Sequence, residues 1–233
     1  MQTAHKDVLF LLALELDVPD LLNLCLSSKR IDELICQRKD IWLHKLKPFY
    51  GVNTQLIEKD FNQFSRILNP TEYTTGDTKS IYKLLYSLNV IKQFLKSLDK
   101  DYSLMELYNL QDLDMAEKQI KEIPRDFAQA LVDLPNLRIL SVDNNQITEI
   151  PKEIGDLINL RQLWLYDNQI REIPKELGKL INLHSLSLTG NQIRELPEEL
   201  GNLINLESLY LGLTDIEEIP EKLKNNENVK IYL

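Results

Sequence analysis

Four prolines recur at intervals of 23 residues, at Pro151, Pro174, Pro197 and Pro220. Each lies in a nearly identical phrase, and the four phrases read EIPKEIG, EIPKELG, ELPEELG and EIPEKLK. A fixed period of this length, carried by leucine, indicates a stack of structural repeats. One unit cannot bury its leucines alone but a stack of units can, so the period predicts a solenoid.

The unit at 157–179 explains why the same residues recur. Its L-x-x-L-x-L spacing predicts a short strand whose leucines point inward, while Trp164 between two of them points outward. Asn168 follows the strand, where an inward amide can satisfy backbone groups that a regular ladder does not reach. Pro174 is expected to fix the turn into a short helical or 3₁₀ stretch, and Gly178 to permit a tight exit from it.

The repeats change at both ends of the stack. Clean units begin at Leu134, Leu157, Leu180 and Leu203. In the unit before them Lys118 replaces the asparagine, and the step from Pro124 to Pro151 is 27 residues, which predicts a longer helix over 124–133. At the other end, 228–233 is expected to form a sixth strand one residue short of register.

Residues 134–225 resemble the leucine-rich repeat family in its 23-residue version, with the phrase L-P-x-x-[IL]-G-x-L-x-N-L-x-x-L-x-L. The resemblance extends from about residue 107 to 233, and we assign the repeats to 105–233. It implies an α/β fold, a curved coil with a parallel sheet on its concave side. It also implies that the protein binds other molecules and does not catalyse a reaction.

The repeat half is acidic. Residues 105–233 contain 23 acidic and 13 basic side chains, against 13 and 14 in residues 1–104. Such an excess repels nucleic acid and attracts basic partners, so we expect no nucleic-acid ligand. The alternative is that these charges only solvate the convex face. The two cysteines, Cys25 and Cys36, do not form a disulfide framework, which indicates a cytoplasmic or nuclear location.

The first 50 residues predict a small all-α domain. Helices are expected at Val8–Leu16, Pro19–Leu26, Lys29–Gln37 and Ile41–Leu46. The apolar run at the start is interrupted by Glu15 and is too short to span a bilayer, so we expect no membrane contact.

This domain resembles a divergent F-box, similar to those of large DNA viruses, where a YKLLY-like phrase (82–86 here) follows. The matching positions are Leu16, Asp20, Leu21, Leu24, Arg30, Ile31, Leu34, Ile41 and Trp42. The resemblance implies docking to a Skp-type adaptor of a cullin-RING ubiquitin ligase, in a host cell if the protein is viral. The expected adaptor contacts are Val18, Pro19, Leu22, Leu26, Arg30, Ile41 and Trp42.

One departure from the F-box pattern leaves a second interpretation open. Most F-boxes begin with a Leu-Pro pair that touches the adaptor, whereas this chain has Ala-His-Lys-Asp at 4–7. The domain would then be only a helical cap for the repeats. Residues 51–104 are expected to form a helical linker and the N-terminal cap of the solenoid, with one helix over 80–98 packing its apolar face on the first repeat.

The sequence contains no pattern that indicates catalysis, a metal or a cofactor. Its three histidines, His5, His44 and His184, lie in separate segments. No H-E-x-x-H, paired C-x-x-C, glycine-rich phosphate loop or G-x-S-x-G is present. We therefore expect a non-enzymatic protein without a cofactor.

The concave face is the predicted binding site. Trp164 and Tyr166 project from one strand beside small serines of the next, and Tyr210 lies beyond them, which predicts an aromatic shelf with a hollow. The alternative is that these rings only cover the sheet. The residues expected to contact a target protein, possibly a basic peptide or helix, are Trp164, Tyr166, Tyr210, Asp143, Asp167, Arg161 and His184.

Overall fold

The computed structural model describes residues 39–50, 54–68 and 78–233. The helices expected at Val8–Leu16, Pro19–Leu26 and Lys29–Gln37 lie outside the described residues. The chain divides into two compact units, Met1–Asn89 and Val90–Leu233.

The first unit is helical in its described part. Its helices are α1 (Lys39–Tyr50), α2 (Thr54–Leu68) and the first part of α3 (Thr78–Ser97), which continues into the second unit. Buried apolar residues from all three helices form its interior, among them Ile41, Leu46, Ile57, Phe64 and Leu85. None of the described helices is long and apolar enough to cross a membrane.

The second unit is a six-stranded parallel sheet in which every strand pairs with the next along the chain. The strands are β1 (Asp112–Asp114), β2 (Ile139–Ser141), β3 (Gln162–Trp164), β4 (Ser185–Ser187), β5 (Ser208–Tyr210) and β6 (Lys230–Tyr232). In β1 to β5 the middle residue is a buried leucine. The flanking residues therefore point to the opposite face, as the spacing predicted.

The return segments contain short helices. They are α4 (Leu104–Tyr108) before β1, α5 (Arg125–Leu131) after it, 3₁₀ turns at Lys152–Asp156, Lys175–Lys179 and Glu198–Asn202, and α6 (Glu221–Lys224). The longer helix expected in the first repeat is α5. In that repeat the Ala128 N–H reaches the Pro124 carbonyl four residues back, whereas in the next unit the Ile154 N–H bonds Pro151 three residues back.

Part of α3 packs on the first repeat. Ile91 and Leu95 are fully buried, and the Phe94 ring lies 4.2 Å from the ring of Phe127 on α5. This end of the leucine core is therefore shielded from water by apolar side chains.

Buried asparagines connect successive repeats. Asn168 is 7% exposed, and its side-chain oxygen accepts from the Ile147 N–H of the preceding repeat at 3.0 Å. Its amide nitrogen donates to the Val142 carbonyl of that repeat at 3.0 Å and to the Leu165 carbonyl of its own at 3.2 Å. Asn145 and Asn191 make the equivalent bonds one repeat away on either side.

The asparagine position is degraded at both ends of the stack, as its sequence indicated. At Lys118 the backbone N–H donates to Asn145 of the next unit at 3.0 Å. At Thr214 the hydroxyl donates its single proton to the Leu211 carbonyl at 2.6 Å. A hydroxyl cannot donate two bonds as the asparagine amide does, so Thr214 connects to the stack less extensively.

The glycine that recurs in the turn is required for a reason that the sequence did not indicate. Gly178 is not in the left-handed region, so its role is not the tight exit that we expected. A Cβ at this position would instead lie against the Glu199 carbonyl and 2.8 Å from the Glu199 Cβ. Gly178 is therefore needed because the next repeat approaches too closely for a side chain.

We expect Asn168→Ala to destabilise the protein by about 1–3 kcal/mol, because it leaves the buried Ile147 N–H without a partner. The Val142 and Leu165 carbonyls each lose one donor but keep another, from Asn145 and Asn191 respectively. Urea unfolding followed by circular dichroism measures the loss. Asn205→Ala is the matched control, since Asn205 is exposed and makes one bond, to the Ile181 carbonyl. An equal loss of unfolding free energy in both variants would show that the buried asparagine stabilises the stack no more than the exposed one does.

Gly178→Ala should destabilise the protein by about 1–3 kcal/mol through overpacking between repeats. The control is Gly212→Ala, where the nearest atom to an added Cβ is 3.6 Å away. Both variants add one methyl group, so the difference between their unfolding midpoints isolates the clash. Equal unfolding midpoints in the two variants would contradict the close approach of Glu199 to Gly178.

Candidate functional site

The register of the sheet aligns one side chain from every strand in a column across the concave face. Trp164 on β3 pairs with Ser141 on one side and Ser187 on the other, and Ser187 pairs with Tyr210. The full column reads Asp114, Ser141, Trp164, Ser187, Tyr210 and Tyr232. Neighbouring strands are about 4.8 Å apart, so these side chains form one continuous row.

Three rings of this column lie together. The Trp164 and Tyr210 ring centroids are 6.3 Å apart with an interplanar angle of 44°. Tyr210 and Tyr232 stack at 4.6 Å and 10°. All three rings remain partly exposed, and Tyr232 is 44% exposed. We call Trp164, Tyr210 and Tyr232 the aromatic row.

The hollow expected beside Trp164 is absent at Ser187. This serine lies between Trp164 and Tyr210 in the column, yet it is only 5% exposed. The two large rings approach each other across the strand that carries the small side chain, and together they shield it from solvent. The structure therefore replaces the predicted hollow with a nearly continuous aromatic surface.

Asp143 is not the exposed anion that the sequence predicted. Its side chain is 4% exposed and accepts hydrogen bonds from the Ser141 hydroxyl and from the Asn144 amide, the latter at 3.0 Å. A hydrogen bond to Asp143 is also the main reason why the pKa of Tyr166 rises to about 12, with burial and the charges of Asp143, Asp167 and Glu117 adding to it. Asp143 therefore fixes Tyr166 and does not itself offer a free carboxylate.

Other carboxylates over the first three repeats of the sheet are exposed. Asp167 is exposed in the left-handed conformation (φ 51°), and a Cβ on Gly190 would collide with its carboxylate. Asp112 and Asp114 project from β1, and burial together with the charge of Asp114 raises the pKa of Asp112. We call Asp112, Asp114, Glu117 and Asp167 the acidic end.

Arg161 and His184 lie where β3 and β4 begin. The His184 N–H donates to the Arg161 carbonyl at 2.8 Å, so the two residues are neighbours across the sheet. The His184 Nδ1 atom lies 2.7 Å from the Asn182 carbonyl oxygen. Each is three residues before the aromatic-row column, roughly 10 Å along the strand. They therefore border the face at its edge and do not join the rings.

The expected adaptor contacts are only partly within the described residues. Val18, Pro19, Leu22, Leu26 and Arg30 lie outside them. Trp42 is on α1, and its side chain is not described. Ile41 on the same helix is fully buried, so its side chain packs in the interior and is not available for an adaptor, contrary to the sequence prediction.

Two residues of the face were missed by the sequence analysis. Tyr232 follows Tyr210 by 22 residues, in line with the sixth strand expected one residue short of register, and the pairing of β6 with β5 places it in the column. Leu213 is 86% exposed and has a positive φ of 55°, in line with Asp167 and Gly190 of the preceding repeats. The repeat position was the available signal for Leu213. In the described part of the chain no group of three His, Cys, Asp or Glu side chains could hold a metal ion.

Comparisons with known proteins bear on the repeat region. Residues 135–193 match the family model described as leucine rich repeat. No curated protein matches the chain.

Solved structures with similar repeats come from several organisms. A leucine-rich repeat protein of Leptospira interrogans is 30% identical with a TM-score of 0.48, over 56% of this chain and 38% of that one. An internalin of Listeria monocytogenes is 28% identical with a TM-score of 0.47, over 57% and 37%. A plant peptide hormone receptor, solved in complex with RGF2, is 27% identical with a TM-score of 0.47, over 54% and 20%. The chain thus spans less than two-fifths of the length of each.

The family match lies within the six-strand sheet, between its second and fourth strands and their return segments. Consecutive parallel strands, inward leucines and bridging asparagines all occur there with the 23-residue period. The repeat-bearing part of this chain has the leucine-rich repeat fold.

Proposed function

We propose that this chain is a non-catalytic receptor that holds a target protein on the concave face of its repeats. The observation that carries the proposal is the aromatic row. Trp164, Tyr210 and Tyr232 keep exposed ring surface on a sheet whose first five strands each already bury a leucine. Large, rigid rings of this kind contribute most of the binding energy at protein interfaces.

The dimensions of the sheet limit what the face can hold. Five steps between six strands give a width of about 24 Å. A stable interface needs about 800 Å² from each partner. A helix, a peptide or a projecting loop of the target fits this surface, and the acidic excess of the repeats favours a basic one.

We further propose that residues 1–50 act as an F-box-like module. It would dock to a Skp-type adaptor, so that the chain is the substrate-recognition subunit of a cullin-RING ubiquitin ligase in the cytoplasm or nucleus. The support is the sequence pattern that includes Leu16, Asp20, Arg30 and Trp42. In this arrangement one unit of the chain binds the ligase and the other binds the target.

A plain interaction scaffold is the second candidate. The burial of Ile41 favours it, because a side chain expected to touch the adaptor packs in the helical interior. The missing Leu-Pro pair points the same way. Adaptor binding separates the two candidates, and both retain the concave target site.

Trp164→Ser and Tyr210→Ser should each weaken target binding about 30-fold, the loss typical of an interface hot spot. Serine already occupies this column at Ser141 and Ser187, so the sheet tolerates it. Target retention is measured by quantitative capture from cell extract on the immobilised full chain. Ile158→Ser with Ile181→Ser is the control, because both isoleucines are exposed but lie outside the strands. Equal retention by the ring and control variants would place the site elsewhere.

Adaptor binding should depend on residues 8–46 and not on the rings. We expect the full chain to co-purify with a Skp-type adaptor, and the deletion of 8–46, or Leu22→Asp alone, to abolish this. Trp164→Ser should leave adaptor recovery unchanged, while Leu22→Asp should leave the unfolding midpoint of the repeats unchanged. Folded full-length protein that never retains the adaptor would eliminate the ligase role and leave the scaffold.

A further inference from the structure

We infer that the concave face is chemically two-ended and that its partner is an extended protein segment with basic residues at one end and apolar residues at the other. The acidic end begins over the first repeat and extends to Asp167 in the third, where the aromatic row begins with Trp164 and continues to the last strand. This inference rests on the proposed function, since it names the chemistry of the segment that the same face would hold.

The strand column changes character along the stack. It begins with Asp114 on β1, where Asp112 adds a second carboxylate. From β3 onward it contains Trp164, Tyr210 and Tyr232. From β1 to β5 the outward-facing strand positions include no lysine or arginine, and Lys230 on β6 is at the far edge.

A second column, just beyond the strand ends, shows the same change. The third residue after each of the strands β1 to β5 adopts the left-handed conformation, and these residues are Glu117, Asn144, Asp167, Gly190 and Leu213. The column thus begins with a carboxylate and ends with a leucine that is 86% exposed. A β-carbon is unfavourable in this conformation, and an exposed leucine gains little from packing, so the fold itself does not explain Leu213.

The negative charges of the acidic end contribute to raised pKa values of side chains there. The pKa of Tyr166 is raised first by its hydrogen bond to Asp143, and the charges of Asp167 and Glu117 contribute in the same direction. Burial and Asp114 raise the pKa of Asp112. Carboxylates held this close together repel one another, and a cationic side chain of a partner relieves that repulsion.

The geometry sets the spacing within the partner. Four strand steps separate Asp114 on β1 from Tyr210 on β5, which corresponds to about 19 Å. An extended chain advances about 3.3 Å per residue, so about six residues separate the basic and apolar groups of the segment. A cation at the other end would lose the carboxylates and meet the like charge of Lys230, which favours one direction for the segment.

The test uses full-length protein and three fluorescein-labelled synthetic peptides. The first carries two arginines and a Trp-Leu pair separated by six Gly/Ser residues, the second has the same composition with these residues interleaved, and the third has glutamates for arginines. Fluorescence anisotropy gives each Kd at low and high salt. We expect the first peptide to bind about 10-fold more tightly than the second at low salt, and the third not to bind.

Matched variants assign the two ends. Asp112→Asn with Asp114→Asn should weaken binding of the first peptide about 10-fold at low salt and remove most of its salt dependence. Asparagine keeps the acceptor that Asp114 offers to the Ala116 N–H. The control, Glu172→Gln with Glu195→Gln, removes the same charge from exposed positions outside the strands and should change nothing. Trp164→Ser with Tyr210→Ser should weaken binding and leave the salt dependence intact.

The outcomes separate this inference from the proposed function. Equal affinity for the first two peptides, or equal effects of the aspartate and glutamate pairs, would overturn the two-ended face. The concave target site would survive that result if Trp164→Ser still reduced target capture. If neither the rings nor the aspartates affected any peptide or the target, both the inference and the proposed function would fail.

Discussion

The bridging asparagine is the interaction on which the rest of the structure depends. Each of Asn145, Asn168 and Asn191 satisfies an N–H and a carbonyl of the preceding repeat while bonding its own turn. These groups are buried and have no strand partner, so leaving them unpaired would be costly. The bonds also fix the displacement of each repeat relative to its neighbour. The sheet therefore keeps one register across strands of only three residues.

A constant register determines where function can be encoded. Residues 23 positions apart become neighbours about 4.8 Å apart, so a binding surface is assembled across repeats and not along a segment. Trp164 and Tyr210 are 46 residues apart in sequence, yet their rings lie within 6.3 Å. A substitution in one repeat thus changes one side chain of a column while the backbone beneath it is unchanged. This is why serine, tryptophan and tyrosine can occupy equivalent positions in the same column.

Much of the fold was predictable because the period constrains it, whereas contacts between repeats were not. Strand positions, inward leucines and inward asparagines follow from spacing within one unit, and the longer first helix follows from the 27-residue step between Pro124 and Pro151. The close approach at Gly178, the burial of Asp143 and the covering of Ser187 depend on what a neighbouring repeat places nearby. Ile41 shows the same limit in the helical unit, since an F-box-like pattern does not reveal which of its apolar residues are buried.

The repeats differ in what their variable positions contribute. Asp143 and Tyr166 occupy outward positions but bond each other, which stabilises the face and removes a carboxylate from solvent. Asp112, Asp114 and Asp167 remain exposed and close to like charges, while Leu213 remains exposed in an unfavourable conformation. Neither the exposed carboxylates nor Leu213 stabilises the folded protein. Features that cost stability and share one surface are expected where a partner compensates for them. Here the carboxylates lie over the first three repeats and Leu213 lies after β5.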